Sequence, residues 1–197
     1  MPSVPDLPSE FFQGYLPARV ASLLESGNIA ASMVGSITFR VLETSEEYSL
    51  RVEHGQPVCS LGMAEDVLLQ VSFRWSDFQG LFLGAAEGGP AVWSQSQGAT
   101  LALGMLRVDA ERASLVRRVG GSIGWELRQG ARIHRLVLTP GSAIPELEQP
   151  TCRITLEYRD FLDVQAGRVV PLQLLMAGKI LIEGNAQGLM TLVGLFG

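Results

Sequence analysis

From Ser36 onward apolar residues recur at every second position, and this period decides what the chain can build. Ile37, Phe39 and Val41 alternate with Ser36, Thr38 and Arg40, and Tyr48, Leu50 and Val52 alternate with Ser49, Arg51 and Glu53. Side chains on a strand point to its two faces in turn, so each segment is a strand with one apolar face against a core. Further strands are expected around Val58 to Leu61, over Val67 to Phe73, over Leu101 to Val108, at Ile123, Trp125 and Leu127, and over Cys152 to Tyr158. Helical stretches are fewer. Phe11 to Met33 reads as two short helices, with Val20, Leu23 and Leu24 on one face, Pro17 opening a fresh turn and Gly27 interrupting. Ser76-Asp77 can cap a helix over Phe78 to Leu83, and Asp109 one over Ala110 to Arg118, while Glu87 to Ala99, rich in Gly, Gln and Ser, reads as a loop. Strands in runs with few helices give an α+β class, a mostly antiparallel sheet covered by helices.

The landmarks recur in order. Gly35-Ser36-Ile37 returns as Gly121-Ser122-Ile123, Asp77-Phe78 as Asp160-Phe161, and Gly104 to Asp109 as Gly178 to Glu183, with the spacing shrinking where the Glu87 to Ala99 loop has no counterpart. These are expected to be two degenerate copies of one unit, residues 1–118 with a leading helical segment and residues 119–197 in a shorter form.

Composition excludes several classes. A 197-residue chain that is 47% hydrophobic can bury a sizeable core, so disorder is excluded. A net charge of −5 gives no general attraction for nucleic acid or anionic membranes. Seven of the 15 basic residues fall between Arg107 and Arg135, and they read as decoration of solvated faces. Met1 to Glu10 holds three prolines and two acids, the opposite of a secretory signal, so a cytoplasmic location is expected. The most apolar segment, Gly188 to Phe196, is about half the length needed to cross a bilayer. Cys59 and Cys152 read as buried small apolar residues, giving no disulfide framework and no thiolate metal site.

Catalytic patterns are weak. Gly120-Gly121-Ser122-Ile123-Gly124 spells a nucleophile elbow, but that motif needs a strand before the serine and a helix after it, and here the order is reversed. His54 sits beside a turn and His134 alternates outward on a strand, so both read as surface residues rather than bases. Asp160 and Asp163 can share a helix face, where cap and dipole chemistry explains them better than an acid/base pair. No catalytic residue, metal site or cofactor is expected, and the chain is read as a non-enzyme.

The apolar helices are more informative. In the last helix Ala186, Leu189, Met190, Val193 and Phe196 form one face, with Leu192 and Leu195 off it, so this helix must be covered nearly all round. Phe78, Leu81 and Phe82, and Phe161, Leu162 and Val164, are expected on the sheet. Two arrangements fit: a core filled by the chain's own side chains, and a cavity that holds an apolar ligand by buried area, roughly 25 cal/mol per Å².

The ending Asp160-Phe161, then Met176-Ala177-Gly178-Lys179-Ile180-Leu181-Ile182-Glu183-Gly184-Asn185, then Gly188 to Leu192, resembles the sterol carrier protein type-2 (SCP-2) family. Members of that family close with an Asp-Phe helix, a connection, a Gly-Lys strand ending in Gly-Asn, and an apolar helix. The first copy departs from the pattern, with Met105 at the lysine position and Ala110-Glu111 in place of Gly-Asn. The resemblance implies five-stranded sheets with helices enclosing an apolar tunnel for a sterol, fatty acyl chain or other lipid. The expected contacts are Phe78, Phe82 and Trp93 in the first copy, and Phe161, Leu175, Met176, Leu189, Met190 and Val193 in the second. Some members act instead as accessory or dimerisation modules, so the alternative is a ligand-free module that recruits an enzyme or a second copy.

Overall fold

Among the described residues, eight strands join edge to edge in one sheet. The computed structural model describes residues 5–25, 34–83, 109–145 and 147–196. In chain order the strands are β1 (Ser36–Val41), β2 (Glu46–Glu53), β3 (Gln56–Leu61), β4 (Val67–Phe73), β5 (Ile123–Gln129), β6 (Arg132–Pro140), β7 (Cys152–Glu157) and β8 (Leu181–Gly184), and they lie in the order β3-β2-β1-β4-β6-β5-β7-β8. Where separate five-stranded sheets were expected, β4 pairs antiparallel with β6 from Leu69↔Pro140 to Phe73↔Leu136 and makes the sheet continuous. β1 is antiparallel to β2 and parallel to β4, and β5 is antiparallel to β6 and parallel to β7. The sheet is therefore mixed, with its other pairs antiparallel. The expected strand at Leu101 to Val108 and the loop from Glu87 to Ala99 lie outside the described residues.

The helices are α1 (Pro8–Glu10), a π-helical turn π1 (Phe11–Tyr15), α2 (Leu16–Glu25), α3 (Trp75–Phe78), a second π-helical turn π2 (Gln79–Leu83), α4 (Ala110–Arg118), α5 (Tyr158–Gln165), α6 (Pro171–Met176) and α7 (Gln187–Phe196). At π1 the N–H of Leu16 donates to the carbonyl of Phe11, the wider i→i+5 closure. Asp109 caps α4 as expected, its Oδ1 accepting from the Arg112 N–H at 2.8 Å. The start of α3 differs: neither Ser76 nor Asp77 caps it, and the Trp75 N–H donates instead to the Glu43 carboxylate, 2.9 Å away, at the β1–β2 turn.

The two faces of the sheet differ in character. Ile37, Phe39, Val41, Tyr48, Leu50, Leu69, Val71, Phe73, Ile123, Leu127, Leu136, Ile154 and Leu156 join the helical residues Phe11, Phe12, Leu16, Val20, Phe78, Leu81, Val116 and Leu189 in one core. The intervening positions carry Thr38, Ser49, Gln70, Ser72, Thr139 and Thr155, all buried. Loops satisfy some of these groups, as buried polar atoms require. Thr38 Oγ1 lies 2.9 Å from Ser49 Oγ, which donates to the Gly62 carbonyl, and Gln70 Nε2 donates to the carbonyls of Gly141 and Ala143.

Candidate functional site

The layer between the sheet and its helices is where an apolar ligand was expected, and the described residues of the N-terminal half place a close-packed aromatic cluster there. Phe78, an expected contact, is 2% exposed, with ring centroids at 4.6 Å from Phe73, 5.4 Å from Trp75, 5.3 Å from Phe11 and 4.9 Å from Phe82. Phe12 stacks on Tyr48 at 4.9 Å and lies equally close to Phe39. Such spacings are those of aromatic pairs in direct contact. Phe82 is half-buried at the margin of the cluster, and Trp93 lies outside the described residues.

His134 corrects the sequence reading. It is completely buried, because β6 turns it toward π2 rather than to solvent. Its Nε2 lies 3.1 Å from Gln129 Oε1 and its Nδ1 3.5 Å from Asp77 Oδ1. A Cβ on Gly80 would meet the imidazole Cε1 at 2.5 Å, so glycine in π2 is what admits the ring. Burial lowers the imidazole pKa, Arg132 lowers it further and Asp77 opposes both. Tyr158 closes the cluster, donating its hydroxyl to the Gly80 carbonyl at 3.0 Å with its ring 5.7 Å from His134. The signal for this cluster was weak: a single His and a single Gly on elements far apart in sequence. His54, by contrast, is exposed as expected.

The C-terminal landmarks have local physical reasons. Lys179 Nζ donates to Asp160 Oδ1 at 3.0 Å, tying the Gly-Lys turn to the Asp-Phe helix. Asp163 pairs separately with Arg168, so the two aspartates serve two different cations. After α6 the N–H groups of Gly178 and Lys179 return to the carbonyls of Leu175 and Leu174, a Schellman closure. Gly184 has φ +85 and no room for a Cβ against the Thr151 carbonyl, and Asn185 Oδ1 accepts from the Gln187 N–H at 3.0 Å to start α7.

This end does not bury its apolar residues evenly. Leu189 is buried, whereas Met190, expected on the same face of α7, is 66% exposed because one residue of helix turns a side chain by about 100°. Leu175 is exposed, Met176 is 83% exposed, and Leu172, Val170 and Leu181 are exposed as well. Phe161 is half-buried, 6.4 Å from Tyr158, and the Val193 side chain lies outside the described set. The expected contacts therefore fall into a packed group, Phe78 with Phe82, and an open group, Leu175, Met176 and Met190.

The remaining candidates carry little chemistry. Ser122 is buried between α4 and β5, in the helix-before, strand-after order that a nucleophile elbow reverses. Cys152 is buried, while Cys59 is half-buried rather than buried, its thiol pushed up to about 12 by burial. Among the described residues no cluster of three or more His, Cys, Asp or Glu could hold a metal, and no helix is long and apolar enough to cross a membrane. Two clefts, of about 420 and 620 Å³, are lined by none of the expected contacts.

Residues 103–197 match the SCP-2 sterol transfer family. The match spans just under half of the chain. The SCP-2 match begins ahead of α4 and takes in β5 to β8 with α5, α6 and α7, so the Asp160–Lys179 tie and the Gly184-Asn185 turn lie within it. Among solved structures the chain is similar to sterol carrier protein 2 from Yarrowia lipolytica in its apo form, 18% identical over 44% of this chain and 74% of that one, with a TM-score of 0.34. It is also similar to the sterol carrier protein domain 2 of Helicoverpa armigera, 26% identical over 45% and 73%, TM-score 0.32. A structure described as UbiJ-SCP2 ubiquinone synthesis protein matches over 94% of this chain and 96% of that one, at 11% identity and a TM-score of 0.25. No curated protein matches the chain.

Proposed function

We propose that the chain is a non-catalytic carrier of a lipid or other apolar molecule, and that the ligand meets it at the exposed apolar residues of α6, β8 and α7. The observation that carries this reading is the exposure of Leu172, Leu175, Met176, Leu181 and Met190 inside a stretch that matches a sterol transfer family. Covering a side chain of this size is worth about 1.5–3 kcal/mol, so several together hold an acyl chain or sterol without any cofactor. Leu189 and Phe161 then form the layer beneath the ligand. Phe78 and Phe82 act as packed wall, and Trp93 and Val193 remain expected contacts. In this reading residues 1–118 and 119–197 are degenerate copies of one unit, supported by the shared sense of pairing around β1 and β5.

The filled aromatic cluster around Phe78 favours a second reading for the first half alone, that of a structural module which docks a partner enzyme or a second copy. Native mass spectrometry with organic extraction of the purified protein separates the two. A co-purifying lipid, or saturable binding of a fluorescent fatty acid that weakens in Met176→Ser and Met190→Ser, supports the carrier. A lipid-free protein that binds no fatty acid and elutes as a stable oligomer rejects it.

A further inference from the structure

Beside the junction of β4 and α3, the geometry points to a second binding site, which we propose takes the phosphate group of a small phosphate ester or of a phospholipid headgroup. A cleft of about 420 Å³ opens there, within the size range of small-ligand sites. Its floor is set by register: Ser72 pairs with Val137, Val137 with Gly124, and Gly124 with Arg153. Pro150 forms one wall, so close over Gly124 that a Cβ there would lie 2.7 Å from the proline ring.

The charges are concentrated. Arg74, Arg132, Arg135 and Arg153 line the cleft against Asp77, Glu126 and Glu148, in a chain whose net charge is −5. Glu126 serves two of the arginines, at 3.1 Å from Arg135 Nε and 3.7 Å from Arg153 Nε. Asp77 is turned toward His134, and Glu148 is exposed, meeting Arg153 through its backbone carbonyl. Arg74 and Arg132 have no carboxylate partner among the described residues, and Arg132 makes one hydrogen bond, to the Ser76 carbonyl at 3.1 Å. The second and independent observation is Ser72. Its side chain is 1% exposed and lines the cleft, yet its hydroxyl has no hydrogen-bond partner among the described residues. A buried hydroxyl without a partner is costly unless a ligand oxygen meets it.

Two guanidiniums without counter-ions and a free hydroxyl suit a phosphate monoester, which carries about −1.5 to −2 charges and three acceptor oxygens. A carboxylate, with a single charge, would leave one of the two positive charges uncompensated. This site does not depend on the carrier reading.

The test is titration calorimetry with glycerol 3-phosphate, beside co-sedimentation with phosphatidylcholine vesicles that contain or lack phosphatidate. Arg74→Gln, Arg132→Gln and Ser72→Ala are compared with Arg117→Gln, which lies outside the cleft. Binding of either probe that falls about tenfold or more in the two arginine variants, and is unchanged in Arg117→Gln, is the expected result. Binding of glycerol 3-phosphate without vesicle binding identifies a soluble ester, and binding only to phosphatidate vesicles identifies a headgroup. Failure to bind either probe, or binding indifferent to Arg74 and Arg132 in variants of unchanged circular dichroism, overturns the proposal. Fatty-acid binding should be the same in Arg74→Gln as in the parent, so the two functional readings fail separately.

Discussion

Replacing Gly80 by alanine sets two effects of known sign against each other. In a helical segment alanine is favoured over glycine by about 1 kcal/mol, so propensity alone predicts a gain in stability. The added methyl, however, would sit 2.5 Å from His134 Cε1 and 2.9 Å from Nδ1. Carbon atoms in contact prefer about 3.5–4.0 Å, so the overlap approaches 1 Å. The imidazole has nowhere to retreat: it is fully buried, joined to Gln129 and backed by Tyr158. Overpacking costs about 1–3 kcal/mol, and an overlap this large against a ring that cannot move falls in the upper part of that range, about 2–3 kcal/mol, so steric repulsion should prevail with a net loss of about 1–2 kcal/mol. His134→Ala removes the obstacle, so in that background Gly80→Ala should stabilise by about 1 kcal/mol, giving a coupling energy of about 2–3 kcal/mol. Urea unfolding of the two single variants and the double variant, followed by tryptophan fluorescence and circular dichroism, measures the cycle. Gly80→Ala as stable as the parent, or a cycle that adds to within about 0.5 kcal/mol, would refute the packing argument.

Leu189→Ala should cost about 2–5 kcal/mol and Met190→Ala less than about 1 kcal/mol, because the first side chain is buried and the second is 66% exposed; chemical denaturation giving equal losses would show α7 rotated about its axis. The unfolded chain takes up a proton at His134 near pH 6.5 while burial and Arg132 keep the folded imidazole neutral to lower pH. Stability from this group is thus fully present above pH 6.5 and declines as pH falls below it, and thermal melts across that range should flatten in His134→Gln. Lys179→Met should cost under about 1 kcal/mol, since the lysine of the Asp160 pair is 55% exposed, and a melt shifted far more than that would assign the pair a larger role.

Much of the sheet was legible because alternation is a local property. Ile37, Phe39 and Val41 announced β1, and Val67 to Phe73 announced β4, since each strand records its own buried face. What joins β4 to β6 was not legible, because edge pairing is decided by hydrogen bonds that leave no mark on side-chain pattern. The site was legible in kind more than in place. Apolar residues in α7 marked a helix in need of cover, but the burial of Leu189 and the exposure of Met190 depend on the helix's rotation, which its nearly uniform sequence leaves open. His134 was misplaced for a related reason: its ionisable ring suggested solvent, and only the glycine facing it from π2 makes a buried position possible. The arginines between Arg107 and Arg135 looked like decoration. Arg132 and Arg135 gain meaning only once the sheet brings Arg74 and Arg153 beside them.

The seam between β4 and β6 has a consequence for aggregation. An unpaired strand offers a row of free N–H and C=O groups that invites foreign strands, and proteins guard such edges. Among the described residues the two outer edges carry guards of the expected kinds. β3 holds Pro57 among exposed positions such as Gln56 and Ser60, and β8 is four residues long with Glu183 exposed. A chain severed between α4 and β5 would lay bare two further edges, and neither is short or interrupted along the paired stretch. Because they close on each other within one molecule, β4 can stay buried at all seven of its positions, a composition that an edge left open to neighbouring molecules could not sustain.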